Sequence, residues 1–177
     1  MGYCGGSTSD PTYQQIGDHT ETLQLDYDPQ RTSYSKLLRL FWDNIAPTVK
    51  PFSTQYKTVI FYHGAQQHEL ADRSRRELAE QLQLEVHTEI VPAPTFYLAE
   101  DYHQKYYLRS AGPLYDELSA HYPTTAQLIR STAAARINGY VGGHGTLARL
   151  EREIDGYGLS EAARARLLPL VARRSSP

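Results

Sequence analysis

The sequence predicts an α+β fold that carries a helical C-terminal extension. Residues 1–112 mix short alternating apolar segments with amphipathic ones, whereas from Pro113 four helical segments follow with no strand between them. At 177 residues the chain has the length of one ordinary domain, so the expected division is a core over 1–112 and an extension over 113–177 packed on the same domain.

The elements follow in order. The first twenty residues are rich in turn formers, with Gly2, Gly5, Gly6 and the Asp10-Pro11 pair, and sustain neither a long helix nor a long strand. Thr22 to Tyr27 alternates and ends at Asp28-Pro29, which predicts a strand and turn. Ser33 opens a helix with Leu37, Leu38, Leu40, Phe41 and Ile45 on one buried face, stopping before Pro47. Tyr56 to His63 reads as a strong strand, and Gln66 to Gln83 as a helix with Leu70, Leu78 and Leu82 inward. Leu84 to Val91 alternates as a further strand, Phe96 to Leu98 is short and extended, and Ala99 to Leu108 is helical. Beyond it, helices are expected over 114–122, 124–137, 147–154 and 160–172, with the glycine-rich segment 138–145 splitting them.

Composition narrows the function classes. With 40% hydrophobic and 21% charged residues, the chain is expected to be globular and soluble rather than disordered. One cysteine, Cys4, forms no internal disulfide and supplies no cysteine-based zinc site, so any thiol chemistry must be completed by an outside partner. Tyr outnumbers Phe 14 to 4, which favours rings with one apolar side and one hydrogen-bonding end. The net charge of −2 gives no general pull toward nucleic acid or anionic lipid, although the charge is uneven: residues 1–125 carry −6 and 126–177 carry +4. Arg164, Arg166, Arg173 and Arg174 are expected to be a solvated helix face, with an anionic partner as the other reading. No apolar run approaches a membrane span and no signal sequence opens the chain, so a cytoplasmic, monomeric protein is expected.

Residue pattern alone leaves function open. Cys4 lies in a glycine turn with no neighbouring cation to lower its pKa, Glu21 reads as a surface acid at a strand entry, and Tyr13, Tyr56 and Tyr102 read as rim aromatics. His63 and His68 are five apart, and His103, His121 and His144 lack ligand spacing, so no metal site is expected. The glycines at 139–145 are followed by no Lys-Ser/Thr, unlike a phosphate-binding loop.

Seven short motifs in order over residues 2–104 nevertheless resemble the A-type peptide methionine-(S)-sulfoxide reductases. They are Gly2-Tyr3-Cys4-Gly5-Gly6, Asp10-Pro11-Thr12-Tyr13, His19-Thr20-Glu21, Tyr27-Asp28-Pro29, Ser33-Tyr34, Thr54-Gln55-Tyr56 and the run Phe96 to Gln104. The resemblance implies a two-layer mixed-sheet core and reduction of methionine-(S)-sulfoxide, free or in a peptide, to methionine. It implies a thiolate that attacks the sulfoxide sulfur while protonated groups take up the oxygen. By resemblance Glu21 is the acid and Tyr13 and Tyr56 are the phenols. The implied partners are oxidised proteins or peptides and an external thiol, thioredoxin or a small one; no bound cofactor, nucleic acid or membrane is implied.

The chain also departs from the family. A Gly-Cys-Phe-Trp-Gly segment carries the family nucleophile upstream of the Gly-Tyr-x-Gly-Gly turn, so the first strand and helix are expected to be missing from a chain that starts at this turn. Cys4 occupies the x position, where the family does not keep its nucleophile, so that role does not carry over to it by resemblance. As a reductase the chain either lacks the nucleophile-bearing first strand or uses Cys4 in its place. An acid-bearing stretch before Thr-Gln-Tyr is replaced by Lys50-Pro51-Phe52-Ser53, and Val141 stands where many members have a recycling cysteine. Two readings follow: a reductase, or a non-catalytic descendant that binds Met or Met-sulfoxide peptides.

Overall fold

A computed structural model describes residues 1–174, which form two compact units, Met1–Ala99 and a second beginning at Glu100. Residues 175–177 of the expected extension lie outside the described residues.

In the first unit, three-residue β1 (Gly2–Cys4) is the middle strand of an antiparallel sheet, between β2 (Thr20–Thr22) and β5 (Phe96–Leu98). Its register sets Tyr3 opposite both Glu21 and Tyr97. A second sheet pairs β3 (Val59–Tyr62) in parallel with β4 (Glu89–Pro92), joined by the crossover helix α2 (Ala65–Leu82) that parallel pairing demands. The mixed orientation is thus realised as two separate sheets. Helix α1 (Tyr34–Asp43) starts where expected: the Ser33 side chain accepts the Lys36 N–H and caps it. Trp42 Nε1 donates to Ser74 Oγ at 3.0 Å and ties α1 to α2.

Three expectations change. The strand expected over 22–27 reaches only Thr22, because the β1 register ends with Gly2 opposite Thr22 and residues 24–27 run past it without a ladder. The strand expected over 84–91 begins at Glu89, where β3 offers a partner, and before it the His87 N–H donates to the Pro47 carbonyl at 2.8 Å. Of the residues expected on the buried face of α1, only Leu38 is fully buried; Phe41 packs at the edge of the cluster and Leu40 is exposed. A two-stranded sheet, with strands about 4.8 Å apart, is too narrow to cover the apolar stripe of a helix about 10 Å wide.

The second unit is helical after a short 3₁₀ turn (Asp101–His103). It comprises α3 (Tyr106–Arg109), α4 (Pro113–His121), α5 (Thr125–Arg130), α6 (Thr132–Val141), α7 (Leu147–Glu153), a 3₁₀ turn (Ile154–Tyr157) and α8 (Glu161–Arg174). Its core joins Leu108, Leu118, Leu128, Ile137, Leu150, Leu167 and Val171. The single helix expected over 99–108 is interrupted where Lys105 adopts a left-handed backbone. The helix expected over 124–137 breaks at Ser131, whose extended backbone ends α5 and whose hydroxyl accepts the Ala134 N–H to start α6. The expected split at 138–145 moves to Gly142: α6 continues through Gly139 because burying Ile137, Tyr140 and Val141 outweighs the roughly 1 kcal/mol cost of a helical glycine.

Glu153 gathers four donors. Its Oε2 accepts the Tyr157 hydroxyl at 2.5 Å and the Tyr140 hydroxyl at 3.2 Å, and lies 3.6 Å from Arg136; its Oε1 accepts Arg149 Nε at 2.8 Å. The bonds from Tyr157 and Arg149 hold its carboxyl down at about 2. The native state therefore binds its proton less readily than the unfolded chain, so this contribution to stability is complete above the ordinary glutamate range and is lost as pH falls from there toward 2. Acid titration of the helical signal in the wild type and in Glu153→Gln is expected to show a steeper stability loss between about pH 4.3 and 2 in the wild type. Parallel curves would refute the assignment.

Candidate functional site

The site is built at the edge of the antiparallel sheet. Glu21 is the middle residue of β2, and its own N–H donates to the Gln55 carbonyl at 3.0 Å; next to it, Thr20 Oγ1 donates to the Thr54 carbonyl at 2.9 Å. These two bonds stitch the 54–56 loop to the strand and bring its side chains to Glu21. Gln55 Nε2 then donates both to Glu21 Oε1 at 2.8 Å and to the Tyr56 hydroxyl at 3.0 Å. A hydrogen bond with Tyr13, then burial and the Tyr13 and Glu21 charges, pushes the Tyr56 phenol above its ordinary range. Tyr13, Tyr56 and Glu21, from three separate segments, so form one hydrogen-bonded chain, with Gln55 joining Glu21 to Tyr56 and Tyr56 joining Tyr13. Tyr13 is 41% and Tyr56 50% exposed, so the phenols are open to a ligand, and Phe52, 86% exposed, sets its ring 5.9 Å from that of Tyr56.

His19 holds the neighbouring turn. Its Nδ1 accepts the Gly6 N–H at 3.1 Å, so Nε2 carries the proton and donates to the Thr8 carbonyl at 2.7 Å. A Cβ at Gly6 would lie 2.5 Å from the His19 ring, which is buried and fixed at both nitrogens, so only glycine fits. Asp18 Oδ1 accepts the Ser7 N–H at 2.8 Å, and that bond lowers the Asp18 pKa.

Cys4 sits apart from the Gln55 group. It is 2% exposed, its Sγ lies 4.0 Å from the Pro94 carbonyl, and burial pushes its thiol upward. The strand pleat places Cys4 on one face of the sheet with Thr20 and Phe96, and Tyr3 on the other with Glu21 and Tyr97. Cys4 and Glu21 both border an open cleft of about 610 Å³, whose walls include Leu38, Phe41, Ile60 and Phe96. Among the described residues no group of three His, Cys, Asp or Glu side chains could hold a metal ion, and no helix is long and apolar enough to cross a membrane.

Sequence reasoning placed Glu21, Tyr13 and Tyr56 by motif but passed over Gln55, the residue that links Glu21 to Tyr56. Its signal was its position inside the Thr54-Gln55-Tyr56 triplet. His19 was likewise visible only as a member of a motif, and Phe52 only within the stretch that departs from the family.

Comparison with known proteins accounts for most of the chain. The family described as peptide methionine sulfoxide reductase matches residues 1–137, and the helical domain described for selenoprotein methionine sulfoxide reductase A matches 125–164. A peptide methionine sulfoxide reductase of Drosophila melanogaster is 37% identical over 167 residues, covering 93% of this chain and 66% of its own. One from Acinetobacter baumannii strain AYE is 43% identical over 115 residues, covering 60% of this chain and 66% of its own. This chain thus spans about two thirds of the length of these relatives. Among solved structures, Mxr1 from Saccharomyces cerevisiae in reduced form is similar at 27% identity with a TM-score of 0.55, over 63% of this chain and 69% of that one. Methionine sulfoxide reductase A of Corynebacterium diphtheriae is similar at 30% identity with a TM-score of 0.52, over 63% and 62%. The α+β architecture is that of these enzymes, and with its family match running from residue 1 to 137 the chain belongs to the peptide methionine sulfoxide reductase family.

Proposed function

We propose that the chain takes methionine-(S)-sulfoxide, free or in an oxidised protein or peptide, and reduces it to methionine with a thiol. The observation that carries this reading is the convergence of Glu21, Tyr56 and Tyr13, the first two joined by Gln55 and Tyr13 bonded to Tyr56. Two phenols and a carboxyl are the donors a departing sulfoxide oxygen requires, and the exposed Phe52 ring supplies an apolar surface for the S-methyl group. With Glu21 Oε1 held by the Gln55 amide, the other carboxyl oxygen is the one to carry the transferable proton.

The thiol assigned is Cys4, which borders the same cleft as Glu21. Its thiolate attacks the sulfoxide sulfur, the S–O bond breaks, and the oxygen leaves on the cysteine with one proton from Glu21, giving sulfenic acid and the thioether. Two equivalents of external thiol, from a thioredoxin-like protein or a small thiol, then return Cys4 and release a disulfide and water. The reading is of a monomer acting in a reducing compartment, the cytoplasm, where disulfides are kept reduced.

A second reading, binding of Met-sulfoxide peptides without turnover, is favoured by the burial of Cys4 and its raised thiol pKa, since a protonated, covered thiol is a poor nucleophile. One assay separates the two. With dithiothreitol and a racemic methionine sulfoxide peptide, the first reading expects loss of the S epimer only, abolished by Cys4→Ser. No loss of S epimer, with peptide binding unchanged in Cys4→Ser, would overturn it in favour of the second.

A further inference from the structure

We propose that the helical unit carries an oxyanion-binding cavity between α6 and the start of α7, for a small carboxylate or phosphate group. It is independent of the sulfoxide reading. The cavity has a volume of about 250 Å³ and is lined by Arg136, Tyr140, His144 and Arg149 over Ala135, Gly139 and Gly145. It is smaller than the roughly 300–1,000 Å³ of drug-sized pockets and suits a small ion.

The wall has an unusual balance of donors. Arg136, Arg149 and His144 line it with no carboxylate among them, and Tyr140, also in the lining, already donates its hydroxyl proton to Glu153. Glu153, the acid that pairs with both arginines, lies outside the lining with its oxygens already taken by Tyr140, Tyr157, Arg136 and Arg149. One carboxylate against two guanidinium groups leaves an excess of one positive charge at the cavity. Glu153 also orients the donors: it engages Arg149 through Nε, leaving the two terminal nitrogens of that side chain for another acceptor.

Local backbone keeps the space open. Nothing lies within 4 Å of a Cβ built at Gly139, whereas Gly145 has a φ of 111° and a Cβ there would meet the Tyr140 ring at 2.7 Å. The His144 N–H donates to the Gly139 carbonyl at 2.9 Å, closing the turn that carries His144 in the lining. Planar guanidinium forks match the geometry of both carboxylate and phosphate, so the shared chemistry is an oxyanion with two or more acceptor oxygens.

The test titrates the full chain with inorganic phosphate and, separately, with acetate at constant ionic strength set by chloride, following the Arg Nε–H and His144 backbone resonances by NMR. Saturable shifts confined to Arg136, Arg149 and the 139–145 turn are expected. Saturation by phosphate but not acetate would assign a phosphate group, and the converse a carboxylate. Arg136→Gln and Arg149→Gln are each expected to weaken binding by about tenfold to a hundredfold, the range for one lost charged hydrogen-bond donor. Gly139→Ala, which fills the floor while keeping both charges, is expected to weaken it too. Non-saturating shifts that scale with salt, or binding equal in wild type and the Arg136→Gln/Arg149→Gln double variant with unchanged circular dichroism, would overturn the proposal.

Discussion

Glu21→Gln is expected to lower kcat for methionine-(S)-sulfoxide by about 10²- to 10⁴-fold while leaving KM near the wild-type value. Glutamine preserves the size of the side chain and an oxygen that can accept the Gln55 amide, so the group around Gln55 persists. It keeps a donor toward the sulfoxide but has no proton to give up, and the oxygen then departs without its acid. Steady-state kinetics on the S epimer, with circular dichroism confirming the fold, decides the matter. A kcat within threefold of wild type would remove Glu21 from the proton-transfer role, and a large rise in KM alone would make it a binding group. Should the wild type bind sulfoxide peptide without turning it over, binding by Glu21→Gln within a few-fold of wild type is the corresponding outcome.

Leu150→Ala is expected to be strongly destabilising. Leu150 is fully buried on α7 within the helical core, in one cluster with Leu167, Ile137 and Ile154. Removing its branched end leaves a cavity that the surrounding helices fill only in part, at a cost of about 2–5 kcal/mol. Over a chain of this size each kcal/mol lowers Tm by about 2–4 °C, so a shift of about 4–20 °C is expected in thermal unfolding followed at 222 nm. Leu40→Ala is the control: on sequence pattern Leu40 belongs to the buried face of α1, yet it is exposed, so its truncation is expected to stay within about 0.5 kcal/mol. Equal losses at the two positions would contradict the packing described for both helices.

Much of the local structure was legible. Ser33 marked the start of α1 because a hydroxyl before an apolar run caps the first turn, and YKTVIFYH marked β3 through its β-branched and aromatic residues. Where each strand stops was not legible, because that depends on the length of its partner: Leu23 and Leu25 alternate as well as any strand residue but have no ladder opposite them. The break at Ser131 escaped for a related reason, since a serine within an apolar periodic stretch can lie in a helix as readily as start a new one. Gln55 was hidden by distance, being 34 residues from Glu21 with an amide that says nothing of its acceptor until the loop is folded.

From its residues alone this chain declared an α+β core followed by helices, a single thiol, and an ordered set of motifs that resembles one family. These are properties of composition, period and order along the chain, which local propensity and motif spacing express directly. Only the tertiary structure decided that Gln55 joins Glu21 to Tyr56 and Tyr56 is bonded to Tyr13, that Cys4 is buried on the other face of the sheet, and that Arg136 and Arg149 share one carboxylate. Which groups share a hydrogen bond or lose their water is settled by strand register and helix packing, and these join residues far apart in sequence.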